Sequence, residues 1–292
     1  MVFMPIFDVM KTCLTILFLF SVLTMCAQNS NRVYIWPDDV PDETEAKHEP
    51  VVSDNKARNV TRLTDVTNPA FTVYQPEDSK RNGASVIICP GGGYNILAID
   101  LEGHEIAEWL TGLGYTTFVL EYRVPKKEPG ALQDLQRAIR LVRANAKKYQ
   151  IDENKIGVMG FSAGGSLCAR ASTRYEDQTY DKVDKNDDLS ARPDFTMLVY
   201  PAYLDKGENR SLTPELKVDK NTPPMFIFET ADDKHGNSAL VMSGALRDAK
   251  VPVEVHLMPE GGHGYGLRPG NVAGETWPGL AEKWLKNVAF NK

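Results

Sequence analysis

A serine framed by glycines offers the first chemistry in this chain: Gly160-Phe161-Ser162-Ala163-Gly164, reached directly from the apolar run Lys155 to Met159. A strand that ends in G-x-S-x-G and opens into a helix is a nucleophile elbow, in which a tight, strained turn lifts the hydroxyl above the sheet. A serine hydroxyl is a weak nucleophile. It needs a base to take its proton and a third group to orient that base. Among five histidines, His263 stands in Glu260-Gly261-Gly262-His263-Gly264-Tyr265-Gly266, directly after the last apolar strand. Glycines on both sides let that loop carry an imidazole across the top of a sheet. The acid is expected between serine and histidine, just after a strand. Phe226 to Ala231 leads into Asp232-Asp233, and both carboxylates meet that requirement. Asp233 is preferred because it stands one step further into the loop; Asp232 stays open as the alternative, whichever is left over capping the turn or the next helix.

Attack on a carbonyl also creates negative charge that needs donors. Ile88-Cys89-Pro90-Gly91-Gly92-Gly93-Tyr94 precedes the elbow by one strand-helix-strand-helix interval. The backbone amides of Gly92, Gly93 and Ala163 are therefore expected to form an oxyanion hole. Loss of one such donor costs about a hundred- to a thousandfold in turnover. His48, His104 and His256 read as structural or surface residues, and His235 lies too close to the acid along the chain to serve easily as base. Cys89 and Cys168 read as small buried hydrophobes, with no disulfide framework and no metal-ligand spacing. No cofactor or metal is expected. No paired carboxylates stand in a context that supports cleavage of a glycan backbone.

The elements that must hold these residues alternate. Apolar strands are expected at 84–89, 115–120, 155–159, 195–200, 224–229 and 253–258, with helices at 100–111, after Ser162 through Ser172, at 238–249 and at 277–290. Leu132, Leu135, Ile139, Val142 and Ala146 recur at three- and four-residue steps, the stripe of a helix packed on a sheet. Alternating strands and helices predict an α/β fold, a mostly parallel central sheet covered by helices on both faces. A leading hairpin or two edge strands are expected within 60–74. Two polar insertions, 175–193 and 202–223, read either as solvated loops or as walls of the cleft above the serine. Tyr94, Tyr122 and Trp277 present rings that either stack on a sugar or pack in the core, the second being their expected fate.

With 292 residues and a net charge of −6, the chain has length for one large core and no basic footprint for nucleic acid. Lys11 and the apolar stretch Leu14 to Met25 read as a secretory leader, residues 1–27, with translation starting at Met1 or Met10 and cleavage after Ala27. An alternative reading takes Leu23 to Cys26 as a lipobox, and membrane attachment is expected only if Cys26 is lipidated. Residues 28–56 read as an extended N-terminal arm and 57–292 as the catalytic domain. The expected destination is the periplasm or the exterior.

These motifs resemble the α/β-hydrolase superfamily over nearly all of the chain after the leader. The closer likeness is to secreted bacterial carbohydrate esterases of the acetyl xylan esterase and feruloyl-esterase-like group. It is carried by Pro90 to Tyr94, Glu121 to Val124, Asp134 to Ala146, Gly160 to Gly165, Thr230 to Asp233 and Val251 to Arg268. The resemblance implies an α/β-hydrolase fold without a large cap domain and a triad of Ser162, Asp233 and His263. It also implies hydrolysis of carboxylic esters on an acylated carbohydrate or other small ester. Two other readings differ in class. A prolyl-oligopeptidase-type peptidase shares the elbow but carries a large propeller for which this chain has no room. A non-catalytic carbohydrate-binding protein needs a degraded triad.

Overall fold

The computed structural model describes residues 31–290, so the expected leader, residues 1–27 with Cys26 and Ala27, lies outside the described residues. Strands run in chain order as β1 Arg32–Tyr34, β2 Val51–Val52, β3 Arg62–Thr64, β4 Ala70–Tyr74, β5 Ser85–Cys89, β6 Leu97–Ala98, β7 Thr116–Glu121, β8 Ile156–Phe161, β9 Phe195–Val199, β10 Met225–Thr230 and β11 Val253–Met258. The α-helices are α1 Glu105–Gly112, α2 Glu128–Ala144, α3 Ala146–Tyr149, α4 Ala163–Thr173, α5 Asn237–Asp248 and α6 Val272–Phe290. Eight strands form one sheet in the order β1-β4-β7-β5-β8-β9-β10-β11. β4 is antiparallel to β7, and every pairing from β7 to β11 is parallel. This is an α/β-hydrolase architecture, with no large cap among the described residues.

The pleat explains the layering. Along β5, Ile87 and Cys89 face one apolar cluster while Val86 and Ile88 face the other. The first cluster takes Leu132, Leu135, Ile139 and Val142 of α2, Leu167 of α4 and Met242 and Leu246 of α5. The second takes Ile106, Ala107 and Leu110 of α1 and Trp277, Trp284 and Leu285 of α6. A parallel sheet buried on both faces needs continuous apolar strands, which β5, β8 and β9 provide.

The observed elements depart from the expected ones in three places. Residues 60–74 do not pair as a hairpin. β3 joins a separate three-stranded sheet between β2 and β6, whereas β4 enters the main sheet. The expected helix over 100–111 begins as a π-helical turn, Asp100–His104, before α1. The closing helix starts at Val272, ahead of Trp277, and holds Pro278 inside its first turns.

Within the unit Val33–Lys292 the arm packs down: Ile35, Trp36 and Val40 are buried, and the Trp36 indole donates to Asp134 of α2 at 2.8 Å. The insertion 175–193 settles beside it. Tyr180 meets the Trp36 ring edge-on at 4.9 Å, and Arg137 of α2 pairs with Asp184 and Asp187. The guanidinium hydrogen bond holds the Asp184 carboxyl down at about 2. This insertion is pinned to α2 and lines none of the serine cleft, so the cleft-wall reading does not hold for it.

Candidate active site

All four loops of interest leave the sheet at carboxyl ends of parallel neighbours: β5, β8, β10 and β11. Such ends are where ligands settle in open α/β sheets. At the end of β8, Ser162 takes φ 51° and ψ −116°, a conformation unfavourable for a residue with a side chain. Two glycines make the turn fit. A Cβ on Gly160 would sit 2.1 Å from the Gly164 carbonyl oxygen, and one on Gly164 would sit 2.0 Å from that of Cys89. The surroundings hold the strain: the Ser162 amide donates to Val199 O at 3.2 Å, and its carbonyl accepts from Ser166 and Ala202.

The three residues expected to act together lie in contact. His263 Nε2 is 2.7 Å from Ser162 Oγ, and His263 Nδ1 is 2.5 Å from Asp233 Oδ2. With Asp233 accepting at Nδ1, Nε2 is left to accept the serine proton. Burial opposes ionisation of Asp233, but the His263 hydrogen bond and the His235 amide outweigh it and hold the carboxyl below its ordinary range. Asp232 points elsewhere. Its oxygens accept from the amides of Gly261 and Gly262 at 3.2 and 2.9 Å, which caps the histidine loop. Geometry thus separates two aspartates that are equivalent in sequence.

Further bonds fix that loop. Thr230 Oγ1 donates to Gly262 O, Asn271 to Gly261 O, the Trp277 indole to Gly266 O, and Arg58 to the carbonyls of His263 and Gly264. Gly92 and Gly93 line the cleft beside Ser162, and Ala163 begins α4. Among the described residues, none of these three amides donates to a protein acceptor. A first-turn amide such as that of Ala163 has no helical partner in any case, so it is available to an anion.

Glu102 is a component that sequence reading missed. It is 3% exposed, accepts from the Gly91 amide at 2.8 Å and from Tyr200 Oη at 2.9 Å, and lines the cleft. Gly91 allows this approach, since a Cβ there would lie 2.6 Å from Glu102 Oε2 and 2.8 Å from Ser162 Cβ. Tyr200 Oη in turn accepts from the Gly266 amide at 3.0 Å, and its ring meets His263 edge-on at 5.1 Å. A buried chain, Gly91–Glu102–Tyr200–Gly266, therefore couples the glycine loop to the histidine loop. Burial pushes the Glu102 carboxyl up, against the pull of its two donors.

His235, read from the sequence only as too close to the acid to be an easy base, lines the cleft 5.0 Å from the His263 ring, with Tyr203 edge-on at 5.4 Å. Burial, then the neighbouring His263, lower its basicity. His104 is held by Tyr74 Oη at 2.8 Å and His256 by Glu254 at 2.9 Å, both remote from the cleft lining. The insertion 202–223 contributes one wall residue, Tyr203, which stacks over Tyr94 at 6.4 Å. Tyr94, Tyr122 and Trp277 are 4%, 0% and 0% exposed, so core packing claims all three rings. Cys89 and Cys168 are buried free thiols. The cleft itself holds about 300 Å3.

Behind the acid, Glu229 at the end of β10 is fully buried. One oxygen accepts the Thr230 amide at 2.8 Å and the other has no partner. Burial, with the charges of Asp233 and Asp232 adding, pushes its carboxyl up to about 9 from 4.5. Between those values the folded protein holds a proton that the unfolded chain has lost. The corresponding stability is fully present below about pH 4.5 and drains away as pH rises to about 9. Glu229→Gln removes this dependence. Denaturant unfolding at pH 5, 7 and 9 should show the wild-type deficit against the variant growing by up to about 1.4 kcal/mol per pH unit. Parallel pH curves for the two proteins would refute the protonated state.

Comparison with known proteins adds a family context. The BD-FAE family model matches residues 71–206. Endo-1,4-beta-xylanase B of Butyrivibrio fibrisolvens is 33% identical over 221 residues, 66% of this chain and 34% of that protein. The acetylxylan esterase of Xylanibacter ruminicola is 28% identical over 233 residues, 70% of this chain and 45% of its own. The chain thus spans less than half the length of these two curated relatives. Among solved structures, the acetyl ester-xyloside bifunctional hydrolase of Caldicellulosiruptor lactoaceticus superposes with a TM-score of 0.73 at 32% identity, covering 89% of this chain and 96% of the other.

Proposed function

The chain belongs to the carbohydrate-esterase group of the α/β-hydrolase superfamily, and on that premise we propose that it is a serine esterase removing acyl groups, acetyl foremost, from xylan-type polysaccharide or its fragments. The observation that carries this reading is the run of contacts Ser162 Oγ–His263 Nε2–His263 Nδ1–Asp233, at 2.7 and 2.5 Å, opening onto a cleft lined by Gly92 and Gly93. Each group then has a task. His263 takes the proton as Ser162 Oγ attacks the acyl carbon, and Asp233 keeps the imidazole in the tautomer that leaves Nε2 free. The amides of Gly92, Gly93 and Ala163 face the oxyanion. His263 returns the proton to the departing sugar oxygen, leaving an acyl-serine; His263, oriented by Asp233, then takes a proton from the water that attacks the acyl carbon and gives it to Ser162 Oγ as the acid departs. Glu102 touches no reacting atom; it pins the Gly91 amide so that the following two amides turn toward the cleft.

Residues 1–27 are proposed to export the protein to where such polysaccharide lies, with lipidation at Cys26 as the alternative route to the membrane. The test of the reaction uses acetylated xylooligosaccharides. Purified protein is expected to release acetate while generating no new reducing ends. Failure to release acetate from acetylated saccharides, with p-nitrophenyl acetate also untouched, would remove the esterase reading.

A further inference from the structure

The cleft is rimmed by cations that form no ion pair with a carboxylate among the described residues. Arg58, Arg62 and Lys234 line it together with Ser162 and His263. None of the three forms an ion pair among the described residues, although most arginines elsewhere do, including Arg123, Arg137, Arg143, Arg170 and Arg174. Arg62 gives one hydrogen bond each to the carbonyls of Asn55, Val60 and Ala57, and Arg58 one each to those of His263 and Gly264, which leaves each guanidinium with further N–H donors. Carbonyls satisfy donors but leave the positive charge standing. In a chain of net charge −6, such a concentration at one cleft is not a consequence of composition.

The placement of Arg58 is also built rather than incidental. Arg58 and Asn59 adopt φ 61° and 52°, a left-handed pair that side chains disfavour. Arg268 holds that turn by donating to the Asn59 carbonyl at 2.6 Å and the Arg58 carbonyl at 3.3 Å, while its own charge is cancelled by Glu105 and Asp100. One arginine is neutralised and serves as a brace; the one it braces keeps its charge and faces the site. The single acidic lining residue, Glu102, is buried and committed to Gly91 and Tyr200. His235 registers the same field, since after burial and His263 its basicity is lowered further by Lys234 and Lys206.

We infer that the cleft selects esters borne on anionic saccharides, namely sugars that carry a carboxylate as uronic acids do, with Arg58, Lys234 and Arg62 holding that carboxylate beside the ester. Guanidinium and ammonium groups recognise carboxylates by charge-assisted hydrogen bonds, and a walled cleft concentrates their field. Lys234 is exposed and without a hydrogen-bond partner among the described residues, so its donors are available to a ligand. The inference rests on the esterase reading for the reaction but not for the binding.

The experiment separates the two. Wild-type kinetics compare the acetyl ester of a methyl glucuronoside with the same ester of methyl glucoside, at low and high salt. Calorimetry on Ser162→Ala compares binding of the two unesterified glycosides. The anionic ester is expected to show a kcat/KM about tenfold above the neutral one at low salt, converging as salt rises. Lys234→Gln should lower that ratio several-fold through KM. Tighter glucuronoside binding to Ser162→Ala with neither ester cleaved would sustain the binding inference and sink the reaction. Equal kcat/KM for the two esters at all salt concentrations, with equal binding, would overturn the inference while the esterase stands.

Discussion

Ser162→Ala is expected to lower kcat on p-nitrophenyl acetate by on the order of 10^5- to 10^6-fold, with the unfolding transition little changed. The variant removes one side-chain oxygen whose contact is the 2.7 Å bond to His263, and it leaves every backbone bond of the elbow in place. The drop in rate would therefore report the nucleophile and not the fold. Residual turnover would come from Gly92, Gly93, Ala163 and the cleft, which still bind and polarise the ester. A variant that keeps more than about a tenth of wild-type kcat, with circular dichroism unchanged, would show that another group performs the attack.

Asp233→Asn carries the second largest effect, about 10^4-fold in kcat. Asparagine is nearly isosteric, but its amide offers His263 Nδ1 a donor as readily as an acceptor. The imidazole can then carry its proton on Nε2, where it cannot accept from Ser162. Asp232→Asn is the matched control. One of its oxygens survives the substitution and can still receive Gly261 or Gly262, so the loss should stay within about tenfold. Steady-state kinetics on the pair decide the assignment: if Asp232→Asn proves the more damaging, the acid has been misidentified.

The legible part of this site is the part written in local sequence. A turn that forbids side chains leaves glycines as its mark, so residue types and spacing alone locate Ser162, His263 and the loop at Gly91 to Gly93. The two aspartates cannot be resolved that way. Both follow β10 directly, and what separates them is whether the carboxylate lands on an imidazole or on two amides across the loop, a distance of some thirty residues along the chain. Glu102, Tyr200 and Arg58 are invisible in the sequence for a stronger reason. Each acts through contacts 11 to 206 residues away, and none sits in a spacing that only its function would produce. Glu102 is one acid among several in its segment, with Asp100, Glu105 and Glu108 close by, so its type does not single it out. The π-helical turn that points it inward follows neither the helical nor the strand period, so pattern counting passes over it. The small sheet of β2, β3 and β6 escapes because two- and three-residue strands are too short to show alternation. The insertion at 175–193 is legible as polar but not as to where it goes, because its anchor, Arg137, is a surface-looking residue of a distant helix.

The bonds from Arg58 to the carbonyls of His263 and Gly264, returned by Arg268 to Asn59, make the base's position depend on two regions more than 200 residues apart. While the polypeptide is still emerging from the ribosome, its serine has no partner to activate it. Reactivity waits until the segment from His263 to Arg268 docks against Arg58 and Asn59, and a proteolytic nick that frees either segment is expected to lower it.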